Sequence, residues 1–183
     1  MKIRESSFSS TRRGFTLLEL MLVITIIGIL LTIVVTSIGG VIRSARVKRA
    51  EVLCKLVQEG LAAYYAQNDR WPGSVGDSIE NGTFHPGDNS VTLSASQTRE
   101  MIKVLVEESK KGNPLMDITG LFVSRGDSHG MDFLDAIHGT RKSSRKMKLA
   151  EMHFGYPNAS NGRFRAFKII YNVPSDHMEV TTQ

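Results

Sequence analysis

The sequence predicts an α+β protein: one long N-terminal helix, its first half membrane-spanning, packed on a small head with a short antiparallel sheet. Three observations predict it. Phe15–Ile38 is an apolar run with a single ionisable residue, Glu19. Beyond it, Val41–Tyr65 places apolar residues at three- and four-residue steps, the period of an amphipathic helix. Toward the C-terminus, short stretches such as Arg163–Asn172 alternate in the manner of strands. A length of 183 residues accommodates one ordinary domain plus an appendage. The apolar fraction of 41% and charged fraction of 22% are those of a folded chain.

The first element is a leader, residues 1–14, with Lys2, Arg4, Arg12 and Arg13 against Glu5. The apolar run over residues 15–38 contains no Lys, Arg, Asp, Pro or Asn. As a helix it extends roughly 36 Å at 1.5 Å per residue, enough to cross a ~30 Å hydrocarbon core. A buried core helix would carry a polar face, and Thr16, Glu19, Thr25 and Thr32 are too few to make one. A secretory signal would have a shorter apolar region, about 7–15 residues, and a small-x-small cleavage site. Membrane insertion is therefore the expectation. Orientation does not follow from charge, because the leader's four basic residues face Arg43, Arg46, Lys48 and Arg49 on the other flank.

The net charge of +5 invites a nucleic-acid reading, but the excess is confined to those two flanks. Residues 60–183 hold 14 basic and 14 acidic side chains. Glu19 is the costly residue, since a carboxylate in a membrane segment costs a few kcal/mol and calls for a partner. Arg12 or Arg13 could snorkel to it, or a cation on another chain could meet it. A cut after Gly14 would give Phe15 a free α-amine small enough for that role.

The stem, residues 39–66, is expected to continue the helix. Ile42, Ala45, Leu53, Leu56, Val57, Leu61 and Tyr64 form its buried stripe, with Cys54 at the edge as an inert thiol. The head, residues 67–183, opens with Asn68–Pro86, which reads as a turn-laden loop. Ser94 or Ser96 caps a helix running to about Lys111, with Met101, Ile102, Leu105 and Val106 inward and Gly112-Asn113-Pro114 as its stop. Leu121–Ser124 and His153–Tyr156 are expected strands. Arg163–Asn172 is another, with Met178–Thr181 as its hairpin partner across Pro174-Ser175-Asp176.

The segment Arg12-Arg13-Gly14-Phe15-Thr16-Leu17-Leu18-Glu19 resembles the precursor N-terminus of type IV pilins and type II secretion pseudopilins. It joins a basic leader ending in Gly to an aromatic residue and a buried Glu at fixed spacing. A weaker likeness continues through Tyr64-Tyr65 to Trp71-Pro72, similar to the end of the long helix in major pseudopilins. The resemblance implies a pilin-like fold and cleavage after Gly14 by a prepilin peptidase, which also methylates the Phe15 amine. It implies that Glu19 pairs with the Phe15 amine of a neighbouring subunit during filament assembly by inner-membrane machinery. It places the leader in the cytoplasm and the head in the periplasm of a bacterial inner membrane. Many members carry Pro where this chain has Thr36, which leaves the position of the helix kink open.

Other chemistry is sparse. His129, Asp132, Asp135 and His138 are spaced by threes, as a divalent-metal site on a helix would be. Acids at the start of a short helix and His at its end also complement the dipole, and that is the favoured reading. Arg125-Gly126-Asp127 matches a cell-adhesion triplet that chance supplies easily. Phe164, Phe167 and Tyr171 among Arg163, Arg165 and Lys168 could stack on single-stranded nucleic acid, but core packing is preferred for them. One Cys, Cys54, excludes an intrachain disulfide and a multi-thiolate zinc site. The expectation is a non-enzymatic pseudopilus subunit without cofactor or metal, favoured over a pilus subunit for adhesion, motility or DNA uptake by the missing C-terminal Cys pair.

Overall fold

The computed structural model describes residues 15–83, 89–126, 129–139 and 146–182. The chain divides into two compact units, one ending at Val41 and the other comprising Ile42–Gln183. Helix α1 (Leu17–Asn68) belongs to both. In the first unit every side chain from Phe15 to Val34 is exposed. A helix that is apolar all round and covered by nothing of its own requires lipid or other helices around it.

The second unit holds the core. From α1 it takes Ala50, Leu53, Cys54, Val57 and Leu61, a stripe at three- and four-residue steps. The expected stripe began earlier, but Ile42 and Ala45 are exposed. Periodicity locates a helix face and cannot say where the rest of the fold begins to cover it. After α1, the supposed loop contains a short helix, α2 (Ser74–Glu80). It is missed in the sequence because Gly73 and Gly76 read as loop residues. Gly76 instead lets the helix pass the Trp71 carbonyl, where any Cβ would overlap the oxygen.

Helix α3 (Ala95–Lys110) follows strand β1 (Ser90–Thr92). Ser94 caps α3 through a reciprocal pair: its hydroxyl accepts from the Gln97 N–H, and the Gln97 side chain accepts from the Ser94 N–H. Met101, Ile102, Leu105 and Val106 are fully buried, as their spacing predicts. Gly112 lies just beyond the end, in the left-handed region at φ 97°.

The remaining elements are β2 (Phe122–Ser124), β3 (Met131–Asp132), α4 (Phe133–His138), a single 3-10 turn (Leu149–Glu151), β4 (His153–Pro157), β5 (Phe164–Ala166), β6 (Lys168–Asn172) and β7 (His177–Thr181). They form two antiparallel sheets where one was expected: β1-β6-β7 and β3-β2-β4-β5. The stretch read as a single strand over Arg163–Asn172 supplies one strand to each, divided at Phe167. The β6–β7 hairpin across Pro174-Ser175-Asp176 pairs Tyr171 with Met178 and Ile169 with Val180. These inward residues are all buried.

Candidate assembly site

The N-terminus of α1 is built by two side chains. Thr16 precedes the first helical turn. Its hydroxyl accepts from the Glu19 N–H at 3.2 Å. Glu19 Oε2 in turn accepts from the Thr16 N–H at 2.9 Å and from the Thr16 hydroxyl at 3.0 Å. This is a capping box, Thr-x-x-Glu, in which two helix-end donors are satisfied reciprocally. The carboxylate of the apolar run thus has a partner within its own turn. The pattern Thr16-x-x-Glu19 is a capping-box signature in the sequence itself.

The cap leaves capacity over. A carboxylate offers about four lone-pair sites, and both contacts use Oε2, so Oε1 has no protein partner among the described residues. A helix N-terminus also favours negative charge. The carboxylate is consequently held in one rotamer with one oxygen open to a cation. Phe15, 82% exposed, is the first described residue and precedes Glu19 by four positions. Gly14, Arg12 and Arg13 lie outside the described residues.

The other sequence candidates are dispersed or engaged. Asp132 is ion-paired with Arg49, whose guanidinium also sits over the Phe122 ring, 5.3 Å from its centroid. Asp135 stands in the first turn of α4 and His138 in its last. Among the described residues no three His, Cys, Asp or Glu side chains gather as a metal would require. Arg125 pairs with Glu151 at 3.4 Å, and Asp127 of the adhesion triplet lies outside the described residues. Phe167 and Tyr171 are buried in the core, so they present no stacking platform. Burial pushes the Cys54 thiol up to about 11, which makes it a poor nucleophile near neutrality.

The region around Phe15 and Glu19 coincides with a known signature. Residues 9–35 match the family model for the prokaryotic N-terminal methylation motif. The chain carries this motif in its N-terminal segment. It is 33% identical over 66 residues to the fimbrial protein of Neisseria meningitidis serogroup B, covering 36% of this chain and 39% of that one. It is likewise 33% identical over 64 residues to a type IV major pilin protein, PilE1, of Neisseria gonorrhoeae, covering 35% and 39%. The chain therefore matches about two fifths of the length of these curated relatives. No solved structure matches it significantly. The relatives are pilins, so the expected preference for a pseudopilin finds no support in them.

Proposed function

We propose that this protein is a structural subunit of a type IV pilus-class filament, anchored in a bacterial inner membrane by the apolar half of α1 before assembly. The observation that carries the reading is the methylation motif over residues 9–35, with Glu19 as the ionisable residue of the apolar run. In this reading a prepilin peptidase cuts after Gly14 on the cytoplasmic side and methylates the Phe15 amine. The open Oε1 of Glu19 accepts that amine from a neighbouring subunit, and the exposed apolar side chains of α1 exchange lipid for other α1 helices. Inner-membrane machinery extracts the subunits. In this reading the role is structural.

The names of the relatives favour a pilus subunit. A secretion pseudopilus is the second reading, favoured by the single Cys, which leaves no cysteine pair to close a C-terminal loop. Loss of surface fibres on deletion of the gene supports the first, and loss of secretion with fibres intact supports the second. Mass spectrometry of the mature N-terminus tests both together. Methylated Phe15 is the expected first residue, and Glu19→Ala should be processed and inserted normally yet yield few filaments. An intact Met1, or an unmethylated cut elsewhere, overturns the filament reading.

A further inference from the structure

Helix α1 places Arg43, Arg46 and Arg49 at three-residue steps, which puts three guanidinium groups along one face. They border a groove of about 450 Å³ lined by Ile42, Ala45, Arg46, Arg49, Phe122 and Gly162 among others. Arg49 is the member with a carboxylate partner, Asp132. Arg46 is half-buried and donates from Nη1 to the Ser160 carbonyl at 3.4 Å. The turn that holds it is closed by the Gly162 N–H on the Asn158 carbonyl at 2.8 Å. Gly162, at φ 70°, packs so closely that a Cβ there would stand 3.0 Å from the Arg46 guanidinium carbon. The guanidinium is thus positioned by backbone alone, and its charge meets no carboxylate among the described residues. The Arg43 side chain is exposed and makes no hydrogen bond or ion pair among the described residues. Lys48 adds a further positive charge, and residues 43–49 contain no acid.

The planar fork of Arg matches phosphate geometry. Beside the charges the groove is apolar: Ile42 is 43% exposed, Ala45 is exposed, and both follow the membrane-type run directly in sequence. A ligand that joins a phosphate to hydrocarbon satisfies both features. An acidic protein surface satisfies the charge alone. Nucleic acid would want an exposed aromatic to stack on, and Phe122 is 7% exposed. We propose that the arginine ladder and its groove bind the headgroup of an anionic phospholipid where α1 leaves the bilayer. The inference rests on the membrane-anchored reading of α1, and its test separates the two.

The full chain is reconstituted into vesicles of phosphatidylcholine alone and into vesicles with equal parts of phosphatidylglycerol. Carbonate washing tests anchoring. Native mass spectrometry after detergent extraction then counts retained lipids. Preferential retention of phosphatidylglycerol is expected, weakening by roughly fivefold for each charge lost in Arg43→Glu or Arg46→Gln and further with added salt. Lys55→Glu, beyond the ladder, should leave it unchanged. Arg43→Glu alters no protein contact, so its effect does not depend on folding. Equal retention of both lipids by a chain that resists washing overturns the headgroup site while leaving the anchor intact. So does an equal effect of Lys55→Glu, which would reduce the site to general charge. Unchanged lipid retention with lost self-association in Arg43→Glu assigns the ladder to a second copy instead. A chain washed out of phosphatidylcholine vesicles removes the anchor and this proposal with it.

Discussion

Asp176 sits at the tip of the β6–β7 hairpin with φ 45°, a left-handed geometry that Asp and Asn adopt more readily than most residues. Its carboxylate gathers three aromatic donors. Oδ1 accepts from Trp71 Nε1 at 2.8 Å and from the Tyr171 hydroxyl at 2.9 Å, and Oδ2 accepts from the Tyr65 hydroxyl at 2.6 Å. The Tyr65 and Trp71 rings stand 4.6 Å apart. One residue therefore ties the last hairpin to the end of α1 and the start of α2. Burial pushes the carboxyl upward, but the hydrogen bonds from Tyr65, Trp71 and Tyr171 outweigh it and hold Asp176 below its ordinary value of 3.8. A carboxyl depressed in the folded state stabilises fully above its unfolded pKa, and the contribution is lost as pH falls through the folded value. The contribution of Asp176 should be flat from neutrality down to about pH 4 and fall below it. Asp176→Ala should cost about 2 kcal/mol, mainly by orphaning the buried Trp71 N–H and straining the turn. Asp176→Asn, which keeps an acceptor and tolerates the φ, should cost less and flatten the acid limb. Urea unfolding of the three proteins at neutral and acid pH measures both effects, and an unchanged acid limb in Asp176→Asn would show that another group carries it.

At the scale of elements, local signals succeed where the determinant is local. The cap, expected at Ser94 or Ser96 and found at Ser94, and the buried quartet of α3 were legible because each is set within a few residues, whereas the reciprocal role of Gln97 emerges only in the structure. Ser94→Ala should cost about 1 kcal/mol, read as a lowered thermal midpoint with the fold retained, whereas Ser96→Ala should cost less, since the Ser96 hydroxyl meets the Ser94 hydroxyl at 3.0 Å but caps no backbone N–H. Equal losses would mean that the cap is not the source. The β5/β6 division illustrates the opposite case. Phe164 and Phe167 are three residues apart, a break in the two-residue period, but a phase break alone does not tell a bulge from a change of sheet. The division arises because β5 pairs with β4 while β6 pairs with β1 and β7, a choice of partners from distant segments. Gly155 makes the first pairing close, since a Cβ there would overlap the Arg165 carbonyl oxygen. The Asp176 clasp was illegible for the same reason, as its donors Tyr65 and Trp71 lie 111 and 105 residues away. In the candidate site, Glu19 stands out by composition and cost, and Phe15 only by its place after Gly14 and the family resemblance. The Thr16 cap is present in the sequence as the Thr16-x-x-Glu19 signature.

For the molecule as a whole, the two units differ in what stabilises them. Every buried core residue among those described lies at Ala50 or beyond, while the apolar side chains from Phe15 to Val34 are exposed. The apolar area of the first half of α1 therefore adds nothing to the chain's own core, and in water it is a liability of the kind that drives association. The same surface is stabilising only where lipid or other helices cover it. A fragment comprising Ile42–Gln183 keeps the whole described core, both sheets, the Asp176 clasp and the Arg49–Asp132 pair. It should be soluble without detergent and unfold cooperatively. It should elute as a monomer, because the single-sign charge of residues 43–49 disfavours like-to-like contact along that face. The full chain should require detergent or vesicles. Removing residues 1–41 should therefore leave the head's unfolding midpoint within a few degrees of its value in the detergent-solubilised full chain, since no core area is lost. Circular dichroism melts of both, with sedimentation of the fragment, measure this. A fragment that aggregates or melts without a transition would show that the apolar half of α1 contributes to the head's stability after all.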